Sequence, residues 1–203
     1  MDHLKKNWNF VEKASLFYVS GFQLASHKES VVLVAKHAVE SPGKTFAFNI
    51  SAPYVCDIFG DRVLDLLPFI DVLFGNETEA QSLAKVLGLN ERLDIQEIAI
   101  EVCKFNKENK EKDRVVVITQ GADYVVTSVT SKESIESNKF PVKLLDPTSI
   151  VDSNAAGDAF VGGFLSQLIE SRDLSTCVRA GIHGAQEVLK HSGCSVSRVN
   201  QFE

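Results

Sequence analysis

Apolar positions along the chain fall into short continuous runs, separated by longer stretches in which they recur every three or four residues. Buried strands of a parallel sheet give the first pattern and amphipathic helices give the second. Residues 15–22 (SLFYVSGF) read as the first strand. From residue 27 to 39, Val31, Val32, Val34, Ala35 and Ala38 recur at helical spacing until Ser41-Pro42-Gly43 stops the helix. Residues 44–50 (KTFAFNI) form a second strand, 54–67 a helix ended by Pro68, 71–74 a short strand, and 78–87 a helix closed by Gly88. A helix over 95–105 leads, through a polar stretch at 106–113 that reads as a solvated loop, to the β-branched run 114–119 (RVVVIT). After a turn at Gly121-Ala122-Asp123 come strands over 124–130 and 139–144, then two glycine-punctuated helices over 156–171 and 174–191.

Strands alternating with helices predict right-handed βαβ crossovers and a mostly parallel sheet covered on both faces, an α/β fold. At 203 residues and 44% hydrophobic content the chain can bury one sizeable core, so a single domain over 1–203 is expected. In such a sheet, ligands bind beyond the carboxyl ends of the strands, which directs attention to three loops.

The first is Asp152-Ser153-Asn154-Ala155-Ala156-Gly157-Asp158, a run of small residues leading into the helix with Gly162 and Gly163. Small residues let the backbone approach a ligand, and the free N–H groups of Ala155, Ala156 and Gly157 at a helix start form an anion site that fits a phosphate. Asp158, in the first turn, is placed to accept a proton from an attacking hydroxyl beside that phosphate. The competing reading is an ordinary capped helix, with Ser153 or Asn154 as the cap.

The second loop is Gly75-Asn76-Glu77-Thr78-Glu79, after the strand at 71–74. Asn76 and Glu79 lie three apart on one face of the helix start, where an amide and a carboxylate can hold magnesium-bound waters near a triphosphate. The same spacing is also a capping box. The third is Thr119-Gln120-Gly121, a hydroxyl and a side-chain-free approach suited to nucleotide phosphate or ribose, or else simply a strand-ending turn. Ser41-Pro42-Gly43-Lys44-Thr45 imitates a phosphate-binding P-loop, but the required first glycine is Ala38 and a strand follows where a helix is needed.

Charge narrows the partners. Lys+Arg 21 against Asp+Glu 27 gives a net charge of -6, which leaves no electrostatic footprint for nucleic acid or an anionic membrane and favours a small soluble partner. Cys56, Cys103, Cys177 and Cys194 show no metal-binding spacing and read as reduced thiols, and the five histidines pair with no carboxylate or cysteine. The opening residues lack an apolar signal core and no run approaches the roughly 18 apolar residues of a membrane span, so the expected location is the cytoplasm or nucleus.

Taken in order, Asn76-Glu77-Thr78-Glu79, Thr119-Gln120-Gly121 and Asp152 to Asp158 resemble the signature of the ribokinase-like (PfkB) carbohydrate and nucleoside kinases. Within that family the chain is most similar to animal kinases of adenosine, through Asn49-Ile50-Ser51-Ala52-Pro53, Leu73 to Ala80, Ile118 to Gly121 and Gly157 to Gln167. The resemblance implies a ribokinase-like, Rossmann-like three-layer α/β/α sandwich. It also implies transfer of the ATP γ-phosphoryl group to the adenosine 5'-hydroxyl, giving AMP and ADP. In that scheme Asp158 is the catalytic base and the N–H groups of Ala155, Ala156 and Gly157 form the anion hole. Asn76 and Glu79 organise Mg2+ and phosphate, Glu79 through water, while Thr119, Gly121 and Asn76 hold ATP.

Three departures open alternatives. Ala155 stands where the family has glycine, and residues 145–149 (LDPTS) lack the glutamines expected of animal adenosine-acting members. The family's N-terminal lid strands and substrate motifs have no counterpart, so the likeness is expected to be to its C-terminal portion. A sheet lacking its first strands exposes an apolar edge through which the chain is expected to associate. The alternatives are a kinase for another sugar or nucleoside, such as ribose, fructose or inosine, and an inactive remnant that binds nucleotide or a full-length kinase.

Overall fold

The computed structural model describes residues 2–131 and 134–195. Contacts divide the chain into two compact units, one of residues 1–121 and 126–139 and the other of 122–125 and 140–203.

The first unit begins with two short helices, α1 (Asp2–Lys6) and α2 (Trp8–Lys13), ahead of the first strand. Strand β1 (Leu16–Ser20) follows, then α3 (Gly21–Ser26), α4 (Lys28–Glu40), β2 (Thr45–Asn49), α5 (Pro53–Leu66), β3 (Val72–Asn76), α6 (Glu77–Val86), α7 (Ile95–Lys104), β4 (Val115–Thr119), β5 (Tyr124–Thr130) and β6 (Ile135–Pro141). The six strands lie in sequence order, β1 to β6, and β1 to β4 are mutually parallel, pairing Leu16 with Thr45, Ala47 with Val72 and Val72 with Val115. The outer ends of β5 and β6 belong to the second unit. Phe46, Ala47 and Phe48 are consecutive and all fully buried, so both faces of the sheet are covered, as the unbroken apolar runs predict. The α/β architecture with a mostly parallel sheet is the one expected from the sequence.

Helix ends follow the local chemistry. Asp94 and Glu97 form a reciprocal capping box at the start of α7. Past α6, the Gly88 N–H donates to Lys85 O and the Leu89 N–H to Ala84 O, the paired bonds of a Schellman end with Gly88 at φ +67°.

Three expectations are corrected. Gly21 and Phe22 begin α3 and are not the end of β1. The last strand is residues 135–141 where 139–144 was expected; it is polar and alternates exposed with half-buried positions, so its apolar signal is weak, and the run after Pro141 is not strand. The stretch 106–113 is not merely solvated: Lys107 is buried and its Nζ lies 2.6 Å from Asp71 Oδ1, while the Glu108 N–H donates to Pro68 O.

Beside that ion pair, at the amino ends of the strands, Arg114 is wholly buried. Its guanidinium donates to the carbonyls of Leu67, Ile70, Val102, Phe105 and Asn106 at 2.8 to 3.3 Å. Burial pushes its pKa down from the ordinary value, yet a guanidinium stays charged near neutral pH, so the five carbonyls are what compensate its lost hydration. Lys44, the lysine of the rejected P-loop imitation, reaches the carbonyls of Val11, Glu12 and Ala14 and so caps the end of α2.

Cys56, Cys103 and Cys177 are buried, and burial pushes their thiols up to about 12, 12 and 11. Cys194 is exposed. Thiolate is the reactive form, so native protein at pH 8 is expected to take up one equivalent of a thiol reagent rapidly, at Cys194, and four after denaturation. A rapid second native equivalent would show that one of the three buried sites opens readily.

The second unit holds α8 (Ala156–Leu168) and α9 (Leu174–Leu189). These two helices pack without intervening side chains where glycines meet: a Cβ on Gly163 would lie 2.4 Å from Ala180 O. Gly163 therefore serves the packing of α8 against α9.

Candidate functional site

The predicted site residues fall into two groups, one in each unit. In the first unit, β3 and β4 run parallel with Asn76 opposite Thr119, so the ends of both strands present their loops side by side at the carboxyl edge. The Thr119 hydroxyl lies 3.5 Å from Gly75 O, and Gly121 turns the chain with φ +55°. That left-handed turn, which glycine adopts freely, is the strand-ending turn given as this loop's competing reading.

Asn76 and Glu79 form the complete capping box. Asn76 Oδ1 accepts from the Glu79 N–H at 2.9 Å, while Glu79 Oε2 accepts from the Asn76 N–H at 3.0 Å and Oε1 from Asn76 Nδ2 at 3.0 Å. The structural reading of this motif is therefore realised, and it fixes both side chains in one arrangement. Glu79 is only 5% exposed. Burial pushes its carboxyl up from the ordinary value, against the opposing pull of the Asn76 N–H, with the charge of Glu77 raising it further and the Ser51 N–H lowering it.

The donor set speaks to the metal as well. Among the described residues, no group of three or more His, Cys, Asp or Glu side chains could cage an ion. A single carboxylate already receiving two N–H donors fits magnesium that arrives with a nucleotide and keeps its waters, which Glu79 can accept from through its remaining lone pairs.

In the second unit, the loop before α8 shows the opposite behaviour. Its N-cap residue is Ala155, at φ +62° and ψ 6°, and no side chain caps the helix. The ordinary capped start with Ser153 or Asn154 is thus not what forms. The carboxylate of Asp152 is turned to the loop itself, accepting the N–H groups of Asn154 at 2.9 Å and Gly193 at 3.0 Å, and these bonds hold its carboxyl below the usual range. The Ala156 N–H reaches Ser153 O only at 3.5 Å. The N–H groups of Gly157 and Asp158 find no acceptor among the described residues, so the first turn keeps its donors for an anion. Asp158 sits exposed in that turn.

Sequence reasoning missed an aromatic surface in the first unit. Phe22 and Tyr54 stack with ring centroids 6.2 Å apart, and they are 51% and 43% exposed. The two stacked rings are left half in water after the carboxyl ends of β1 and β2, an exposed aromatic surface. The only sequence signal was an aromatic residue soon after each strand, which core packing produces equally well.

Residues 1–200 match the model of the family described as pfkB family carbohydrate kinase. Over its whole length the chain is 44% identical to adenosine kinase 2 of Arabidopsis thaliana, covering 57% of that protein. The structure of Anopheles gambiae adenosine kinase in complex with P1,P4-di(adenosine-5) tetraphosphate superposes with a TM-score of 0.88 at 42% identity, over 95% of this chain and 56% of that one. Schistosoma mansoni adenosine kinase in complex with 2-fluoroadenosine gives a TM-score of 0.88 at 30% identity, over 97% and 57%. The chain therefore spans a little over half the length of these relatives. With the family match running through all three loops, the ribokinase-like character inferred from their order is borne out, and the chain belongs to the pfkB family of carbohydrate kinases.

Proposed function

We propose that the chain carries the phosphate-binding and proton-accepting machinery of an adenosine kinase, transferring the γ-phosphoryl group of ATP to the adenosine 5'-hydroxyl. The observation that carries this reading is the uncapped start of α8, where unsatisfied N–H groups and Asp158 stand in one helical turn. The 5'-oxygen forms the new bond to phosphorus as the bond from the γ-phosphorus to the β,γ-bridging oxygen breaks. ADP leaves with the electron pair, and the hydroxyl proton passes to the Asp158 carboxylate. Backbone donors of Ala155, Ala156 and Gly157 stabilise the equatorial phosphoryl oxygens. Asn76 and Glu79 would hold magnesium through its waters, and bound there it would supply neutralisation of the phosphate charge. Thr119 and Gly121 hold the nucleotide at the adjoining strand end.

Adenosine is favoured over a free sugar by the Phe22–Tyr54 platform, which offers a stacking surface that ribose has no use for. The nucleoside and dinucleoside in the Schistosoma and Anopheles complexes are consistent with it. The test is AMP formation from ATP, magnesium and adenosine by the purified chain, with ribose and inosine as rival acceptors. Turnover with ribose alone would move the assignment to another acceptor.

A second reading, nucleotide binding without turnover, rests on Ala155. A residue with a Cβ in the left-handed region costs on the order of 1 kcal/mol, and the strain bears directly on the N–H groups of the anion hole. Under this reading the native chain forms no AMP and Ala155→Gly does; under the first, both do. Ala155→Gly is expected to change stability by no more than about 1 kcal/mol, since relief of strain is offset by the chain entropy glycine loses on folding.

The same proposal includes association along β1. That strand ends the sheet's order, its sequence LFYVS carries no charge, and Tyr18 is 39% exposed. Sedimentation across a concentration series is expected to show self-association, which a Tyr18→Lys substitution weakens.

A further inference from the structure

The stacked rings Phe22 and Tyr54 sit on different helices, α3 and α5, and one cation ties those helices together. Helix α3 has six residues and no side-chain cap at its start, so it is too short to hold its own direction. Its first residue is pinned. A Cβ on Gly21 would lie 2.1 Å from Ile50 O, and the Gly21 N–H donates at 3.3 Å to the Oγ of Ser51, a serine at φ +69°. Contact at one end fixes where the helix starts, and its direction is set by what holds the other end.

Arg62 holds that other end. Its Nη1 donates to the carbonyls of Leu24 and Ala25 in the last turn of α3, neither of which receives a backbone N–H among the described residues. A cation there also meets the negative end of the helix dipole. Arg62 joins none of the ion pairs among the described residues, so its charge faces carbonyls rather than a carboxylate. The same guanidinium lies over the Phe59 ring, with Cζ 4.8 Å from the centroid. Phe59 meets Tyr54 edge-on, with centroids 6.5 Å apart and planes at 68°. Helix α5 breaks its regular backbone at Phe59 (φ -115°, ψ 28°), just before Gly60, so Tyr54 and Arg62 stand on either side of a kink that the contacts of Phe59 span. The contacts close on themselves: Phe22 to Tyr54 to Phe59 to Arg62, and from Arg62 back to the helix that carries Phe22.

We propose that Arg62 is a positioning residue for the acceptor, setting α3 against α5 so that the Phe22 and Tyr54 rings stay together as one surface for the purine. This rests on the reading of that ring pair as the surface that takes adenosine. Arg62 touches no substrate; it acts through Phe59 and the end of α3.

The test is calorimetric titration of adenosine, and separately of magnesium–ATP, into the purified chain. The proteins compared are the native one, Arg62→Met, Arg62→Lys, Phe22→Ala and the double variant Phe22→Ala with Arg62→Met. Methionine keeps much of the stem but not the charge or its hydrogen bonds, so affinity for adenosine should fall about 10-fold, the worth of a base-stacking contact, while affinity for magnesium–ATP holds. Lysine keeps the charge and a donor but not the flat stacking face, and should recover part of the loss. Phe22 is half exposed, so its truncation removes the ring with little change to the fold. Adding Arg62→Met to it should lower adenosine affinity no further, because both changes act through one ring pair. Effects that multiply in the double variant would place the action of Arg62 elsewhere and overturn the role. So would an Arg62→Met protein that binds adenosine as tightly as the native one, or one that loses adenosine and magnesium–ATP together. Native protein that binds no adenosine would overturn the reading of the ring pair, and this role with it.

Discussion

Arg114→Met is expected to lower the free energy of unfolding by about 4 kcal/mol, and with it the thermal midpoint by on the order of 10 °C. Methionine fills much of the same volume, so the loss is not chiefly one of packing. It comes from the carbonyls that the guanidinium satisfies: Leu67 O and Val102 O keep N–H donors from Ile70 and Phe105, and Asn106 is exposed, so the loss falls mainly on Ile70 O and Phe105 O beside the buried side chain. Arg114→Lys should recover only part of the loss, because an ammonium carries three donors where the guanidinium carries five in a fixed plane. Urea unfolding of the three proteins measures this. A loss below about 1 kcal/mol would mean that water replaces the missing donors.

Asp158→Asn is expected to reduce the rate of AMP formation by about 10²- to 10⁴-fold, the contribution typical of a positioned proton acceptor. It should leave the fold intact. Asp158 is exposed, and its loss removes only a favourable charge from the first turn of α8, worth about 0.3 to 1 kcal/mol. A large fall in kcat with an unchanged unfolding curve therefore isolates chemistry from stability. Unchanged turnover would mean that the hydroxyl proton leaves by another route and that Asp158 serves the helix alone.

The strands that could be read from the sequence were those whose neighbours lie on both faces. Residues 115–118 and 46–48 are continuous apolar runs because the sheet is covered on both sides, and such runs have few other readings. Strand β6 was misplaced because its outward positions are polar and Phe140 and Pro141 end it, so the apolar residues beyond looked more strand-like than the strand. Gly21 and Phe22 looked like more strand because α3 begins without a side-chain cap to announce it. Lys107 and Arg114 were invisible as core residues for a different reason. Pattern reading assigns charged residues to the surface, and only the positions of distant carbonyls and of Asp71 show what satisfies them.

The candidate site residues were legible as loops and as types, since small residues before a helix and an Asn-x-x-Glu step are local signals. Their competing structural readings were separable only in three dimensions. At Asn76 the cap forms in full, whereas at Ala155 it does not form, and it is the unformed cap that leaves hydrogen-bond donors for a ligand. Ser51 was quoted for its resemblance but not for its conformation, because a left-handed serine has no signature in a sequence.

Arg114, Asp71 and Lys107 secure the amino ends of the strands, while Asn76, Glu79 and Thr119 occupy the carboxyl ends of the same strands. Inherited changes at the two ends would therefore be filtered by different pressures. Those at the first are judged by how much folded protein a cell retains, and under the proposed function those at the second by how nucleotide is held, so the two ends can change independently.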